Sequence, residues 1–235
     1  MDKSEWLAAL QQEGSAFASM LVPAALSTPV HSCPGWTLAD LGRHLGGINR
    51  WARHAILHGP SEEPVGPDDP AALRGWYQQG LDDLLSTLQD SNLQDPCWTL
   101  GDPRVVGFWA RRQAHETTLH RWDAASSHGQ PPPIAEPLAE DGIDEVVTMF
   151  VPRQLRLNRL EPGPEAVLLA CASGRSFTLV RAAAGTLPEP DAVVTGTAEA
   201  LLLLLWGRIP LSDRRLLVTG ETRAAARLLS QPLTP

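Results

Sequence analysis

Lysine is almost missing from this chain. Of its 19 basic residues only Lys3 is a lysine, and they face 27 Asp and Glu, for a formal charge of −8 over 235 residues. A protein that grips nucleic acid through phosphate contacts needs a cationic surface, so no nucleic-acid partner is expected. Cysteine is scarce too. Cys33, Cys97 and Cys171 are widely spaced, odd in number and form no CxxC pair. That argues against a disulfide framework and against a cysteine-rich zinc site. Each reads as a small buried apolar residue. Long apolar runs are also lacking. The longest run of large apolar residues, Leu201 to Trp206, falls far short of the roughly 20 needed to span a bilayer, so no membrane partner is expected. The start, Met1-Asp2-Lys3-Ser4-Glu5, has no basic stretch leading into an apolar one. No secretory signal is therefore expected, and the setting reads as reducing and cytoplasmic. Arginine in place of lysine, with much Ala and Leu, reads as the bias of a GC-rich genome.

What is present divides into two parts. Up to about residue 128 the apolar periodicity is helical. Leu7, Leu10, Phe17 and Leu21 mark a first helix, loosened by Gly14. Pro34-Gly35-Trp36 is a turn, after which Thr37 can cap a second helix with Asp40 in its first turn. That helix carries the stripe Leu41, Leu45, Ile48, Ala52, Ala55 and is expected to end near Leu57, before Gly59-Pro60. Residues 59–70, rich in Pro, Gly and acid, form a loop. Leu73, Trp76, Leu81, Leu84, Leu85 and Leu88 mark a third helix, and a fourth runs from about Val105 to Ser127. Four such helices predict an antiparallel four-helix bundle over residues 1–128. Residues 129–137 are a proline-rich linker. Residues 138–235 predict a small α+β unit. It opens with a helix around Leu138–Phe150. Two β-like runs, Ala166–Ala172 and Phe177–Ala182, follow as a hairpin across Ser173-Gly174-Arg175. A strand Asp191–Gly196, an apolar helix Thr197–Arg208, a strand Leu216–Thr219 and a helix Glu221–Leu229 complete it.

The fourth helix holds the residues that can carry chemistry. His115-Glu116 followed by His120 resembles the zinc-protease motif HExxH but is spaced differently. Two histidines five apart lie about 140° apart around a helix, so they cannot chelate one metal from one face. Glu116 and His120 are four apart and do share a face. An acid and an imidazole on one turn make part of a zinc site, and a third ligand must come from another helix. His44, set inside the apolar stripe of the second helix, is the best placed. His44, Glu116 and His120 together would leave a fourth zinc position open, as catalysis requires. The spacing alone also suits a solvated Glu–His surface pair and a hydrogen-bonded core histidine at position 44. His31, His54, His58 and His128 read as surface residues, and His115 as a residue at the border of the site.

Several segments resemble one known family. Cys33-Pro34-Gly35-Trp36-Thr37, followed by Asp40-Leu41 and His44-Leu45-Gly46-Gly47, is similar to a segment of the mycothiol-dependent maleylpyruvate isomerases. So are Arg111-Arg112, His115-Glu116 and His120-Arg121-Trp122-Asp123, the post-linker stretch Ala139–Glu145, and Trp206-Gly207-Arg208. The resemblance runs from Trp6 to Leu229. It implies a DinB-like metal-binding bundle followed by a sterol-carrier-like α+β domain, in a protein of actinobacterial type. It places the divalent metal ligands, most simply for zinc, on His44, Glu116 and His120. It also implies mycothiol as the thiol cofactor or cosubstrate, a small-molecule substrate, and Arg208 as the residue that holds a substrate carboxylate. A cationic residue favoured at a helix C-terminus is the other reading of Arg208. The expected activity is cis–trans isomerisation of the maleylpyruvate type or thiol S-transfer. A zinc hydrolase using bound water, and a non-enzymatic ligand-binding protein, are the competing readings.

Overall fold

Local signals set the helix boundaries of the first unit. Asp2 accepts a hydrogen bond from the Glu5 amide and starts α1, Lys3–Met20. Thr37 and Asp40 cap α2, Leu38–His58, reciprocally: each side chain accepts from the other's backbone N–H. Such a box satisfies two of the amides that a helix start leaves without partners. Hydrogen bonds from the Thr37 hydroxyl and then its backbone N–H, with the nearby Arg43 charge, hold the Asp40 carboxyl below its ordinary range. Asp69 and Pro70 start α3, Pro70–Asp90, and α4 spans Val106–Ser126. In this computed structural model, which describes residues 1–129, 131–181 and 188–235, Met1–Pro132 form one compact unit and Pro133–Pro235 another. In the first, α1 packs on α3 and α4, and α2 packs on the same two helices, closing a four-helix arrangement.

The least amphipathic of these helices is the most enclosed. Sixteen residues of α4 are buried, among them Arg112, Gln113, His115, Thr118, Arg121 and Asp123. A helix buried on nearly every side is normally apolar all round. Here polar side chains occupy interior positions, and several find fixed partners: Arg121 pairs with Glu13 of α1 and donates to the Pro132 carbonyl, and Thr118 donates to the Ala114 carbonyl. His115 is buried, not at a border.

The second unit opens with α5, Glu136–Glu145, which starts two residues before the expected Leu138. The chain passes through a π-helical turn, Val146–Phe150, into α6, Val151–Arg156. The sequence pattern places the end of this helix near Phe150. Phe150 and Val151 keep helical dihedral angles as the π-helical turn ends, so helical structure runs on through Pro152 to Arg156. The strands β1 (Ala166–Cys171), β2 (Ser176–Val180), β3 (Ala192–Gly196) and β4 (Leu217–Gly220) form one sheet in the order β2-β1-β3-β4. β1 pairs antiparallel with β2 and parallel with β3, and β3 antiparallel with β4. The β1–β2 turn passes through Gly174 at φ +97°, a conformation that favours glycine. Ala182, the expected end of the second run, and Gln130 of the linker lie outside the described residues. α7, Ala198–Leu205, is capped by the Thr197 hydroxyl, and α8 is Thr222–Leu229. Among the described residues no helix is long and apolar enough to cross a membrane.

Candidate metal centre

α2 and α4 bring His44, Glu116 and His120 together. His44 Nε2 lies 3.1 Å from Glu116 Oε1, and His120 Nε2 lies 3.3 Å from the same oxygen. The two imidazoles meet edge to face, with ring centroids 5.2 Å apart. One ligand atom from each of the three lies within 4.8 Å of the others. A tetrahedral zinc with bonds of 2.0–2.1 Å sets its ligand atoms about 3.3 Å apart. The two measured separations fit that spacing, and the donor set of two imidazoles and a carboxylate suits zinc.

Each of the three has a further partner. Arg112, one turn before Glu116, donates from Nη2 to Glu116 Oε2 at 2.9 Å, with its side chain only 4% exposed. Glu116 is thereby divided: Oε2 is held by the guanidinium, while Oε1 faces both imidazoles. His120 Nδ1 lies 2.9 Å from Asp123 Oδ2, and the Asp123 side chain is fully buried. Cys33 Sγ lies 3.6 Å from that same oxygen, so Cys33 is half-buried beside a polar group and not a purely apolar core residue. His44 Nδ1 lies 3.7 Å from Glu63 Oε1.

Glu63 belongs to the loop after α2, and its approach has a local cause. Trp51 Nε1 donates to the Ser61 carbonyl and Arg43 Nε to the Pro67 carbonyl, which lays the loop along α2. Gly47 makes the seat: a Cβ there would stand 2.7 Å from Glu63 Oε1 and 2.8 Å from the Pro64 carbonyl oxygen. The second glycine of the His44-Leu45-Gly46-Gly47 stretch thus gives room for a carboxylate beside His44. Trp36, exposed at its edge, packs edge-on against the His44 ring at 5.1 Å.

The electrostatics are strongly coupled. Burial works to raise the Glu116 carboxyl, but hydrogen bonds from His120 and His44, with the charges of His120 and Arg112, hold it well below the ordinary carboxylate range. Burial works against an imidazolium at His120, yet hydrogen bonds to Asp123, Cys33 and Glu116 lift it well above the usual histidine range. Burial raises Glu63, with His44 opposing and Glu116 reinforcing. Arg112 is bonded to Glu116, while Asp123 and Glu63 set further carboxylate oxygens beside the two imidazoles.

These residues all lie in one of two stretches of known type. The mycothiol maleylpyruvate isomerase N-terminal domain matches residues 7–125, and the C-terminal domain of the same family matches residues 137–227. The chain belongs to the mycothiol maleylpyruvate isomerase family. In this family's fold it is similar to a crystal structure of the mycothiol-dependent maleylpyruvate isomerase, at 14% identity and a TM-score of 0.67, over 94% of this chain and 95% of that one. A histidine-to-alanine mutant of that enzyme gives a TM-score of 0.68 over the same shares, also at 14% identity. No match is found among the curated proteins.

Arg208 belongs to the second unit. The apolar helix expected to reach it ends at Leu205. Gly207, at φ +68°, turns the chain, and Arg208 Nη1 donates back to the Trp206 carbonyl at 2.8 Å. Arg208 also lines a surface cavity of about 470 Å³ with Leu204, Ile209 and Pro210. Sequence reasoning left Arg112 between the helix faces without a defined role and missed Asp123 and Glu63. Arg112 and Asp123 stand four and three residues from the groups they touch, a helical spacing that could have flagged both. Nothing in the composition of the 59–70 loop singles out Glu63.

Proposed function

We propose that this chain is a metal-dependent enzyme that uses mycothiol, a low-molecular-weight thiol, to act on a small-molecule substrate. The reaction is cis–trans isomerisation of the maleylpyruvate type or transfer of the thiol itself. The observation that carries this reading is the convergence of His44 Nε2 and His120 Nε2 on Glu116 Oε1 at 3.1 and 3.3 Å, in a chain of this family. A divalent ion held by these residues, most simply zinc, would stabilise a thiolate over a thiol at neutral pH.

The protein's own groups do the rest. Arg112 takes one oxygen of Glu116, so the carboxylate offers the other as a single ligand atom. Held by His44, Glu116 and His120 alone, a zinc ion would have room for one incoming group. The chain's cysteines are poorly suited to supply that group. Burial pushes Cys97 and Cys171 up, away from the reactive thiolate, and Cys33 Sγ is engaged with Asp123. An external thiol meets the need. In the isomerisation its sulfur adds to the cis double bond, a C–S bond forming as the π bond opens. Rotation about the resulting single bond and loss of the thiol restore the double bond in trans geometry. Arg208 is assigned to a substrate carboxylate, for which its planar fork is suited. Trp36, edge-on to His44, would wall one side of the approach.

The test compares turnover with and without thiol, and with and without chelator. Loss of activity on removing either supports the reading. Turnover in thiol-free buffer points to a hydrolase, and ligand binding indifferent to chelator points to a binding module.

A further inference from the structure

Beyond the three ligand residues, the structure assigns a role to Asp123 and Cys33, and this rests on the metal reading above. We infer that Asp123 is the positioning residue of the site: it fixes the orientation and tautomer of His120, with the Cys33 thiol holding Asp123 in turn. An imidazole can offer either ring nitrogen to a metal, and the hydrogen bond made by the other nitrogen decides which. Here Nδ1 of His120 is 2.9 Å from Asp123 Oδ2, a donor–acceptor distance suited to an Nδ1–H proton. Nε2 is then the nitrogen that faces Glu116 Oε1 and, across it, His44. Carboxylate, imidazole and ligand position follow one another in a line of hydrogen bonds, and outer partners of this kind orient metal-binding histidines.

The surroundings of Asp123 make the restraint firm. Its side chain is fully buried, so water does not compete for Oδ2. It lies three residues from His120 on α4, so the helix backbone itself sets the approach. Cys33, from the segment before α2, places Sγ 3.6 Å from the same oxygen. Cys33, His120 and Asp123 also satisfy the spacing of a metal-ligand group. Asp123 is wholly enclosed, and Sγ and Nδ1 both lie within hydrogen-bonding distance of its Oδ2, so this group is read as the hydrogen-bonded support of His120. His44 differs. Its carboxylate neighbour, Glu63, stands farther off at 3.7 Å and is 42% exposed. The two imidazoles are therefore unequal, His120 held rigidly and His44 loosely.

The experiment measures zinc affinity by competition with a chromophoric chelator, on wild type, Asp123→Asn, Asp123→Ala and Cys33→Ala. Thermal melting of each metal-stripped protein is recorded alongside. Asp123→Asn and Asp123→Ala should each weaken zinc binding about 10- to 100-fold, while Cys33→Ala produces a smaller loss. A merely structural Asp123 would lower the melting temperature and leave the affinity of the folded protein unchanged. Should neither Asp123 variant fold, nitrogen-15 NMR of zinc-loaded wild type decides: His120 must bind through Nε2 and keep a protected proton on Nδ1. Zinc affinity within twofold of wild type in the Asp123 variants, or coordination through Nδ1, overturns the inference. A wild type that binds no divalent metal at all overturns the metal reading and this inference with it.

Discussion

Arg112 offers the sharpest test of how the site is built. Its guanidinium is almost wholly buried and donates to Glu116 Oε2 at 2.9 Å, with the Glu116 side chain 16% exposed. Arg112→Met keeps an unbranched side chain, shorter than that of arginine, and deletes the charge. With charge centres about 4 Å apart and an effective dielectric near 20, the attraction lost is about 4 kcal/mol. Removing one member of a buried pair costs about 3–5 kcal/mol, because the other charge is left without compensation. Glu116 keeps two imidazoles on Oε1, so the lower end applies, about 3 kcal/mol. Urea unfolding of the metal-stripped protein, followed by tryptophan fluorescence, reads this directly. Adding Glu116→Gln to Arg112→Met removes the stranded charge, so the double variant should lose less than the two single losses together, by at least about 1 kcal/mol. An Arg112→Met protein within about 0.5 kcal/mol of wild type, or strict additivity in the double variant, would refute the reasoning.

Other outcomes follow from neighbouring groups. Gly47→Ala should push Glu63 and Pro64 off α2, seen as faster proteolytic cleavage in the 59–69 loop and weaker metal binding; an unchanged cleavage pattern would show that the loop does not rest there. The pH dependence of the metal-stripped protein has two arms. The folded pKa of His120 is raised, so its contribution is complete below the ordinary 6.5 and is lost as pH rises through the folded value. Glu116 is depressed, so its contribution is present above the ordinary 4.5 and is lost as pH falls through the folded value. Urea midpoints taken across the pH range should fall on both sides, and saturating zinc should remove the alkaline arm by displacing the Nε2 proton. In the second unit, Glu165 is held down to about 2, chiefly by hydrogen bonds from Arg227 and Arg181. Its contribution should vanish as pH drops from about 4.5 toward 2, and Glu165→Gln should flatten the acid limb of unfolding over that interval. Arg208→Ala should raise KM for a carboxylate substrate while leaving metal content intact; an unchanged KM removes Arg208 from the substrate site.

Much of this architecture is legible in the sequence where local rules act alone. The Thr37–Asp40 box, the glycine at position 174 and the helical stripe around His44 each encode their structure within a few residues. The triad is legible because Glu116 and His120 share a helical face and His44 sits in an apolar stripe. The interior position of α4 is not, since Arg112, Gln113, His115, Arg121 and Asp123 give it the composition of a surface helix. Only tertiary partners such as Glu13, which is 108 residues from Arg121, make those groups tolerable inside. Glu63 and Cys33 reach the site across long sequence separations, from a turn and a loop that periodicity cannot place. The helical stretch Val151–Arg156 carries Pro152 in its first turn and only six residues, too few for an apolar period to show.

The central claim is that His44, Glu116 and His120 form one metal site. The most direct measurement is elemental analysis of purified wild-type and His44→Ala protein after equilibration with zinc and removal of the free ion. About one zinc per wild-type chain is expected, with a large loss in His44→Ala. Full metal retention by His44→Ala, or none in the wild type, would contradict that claim.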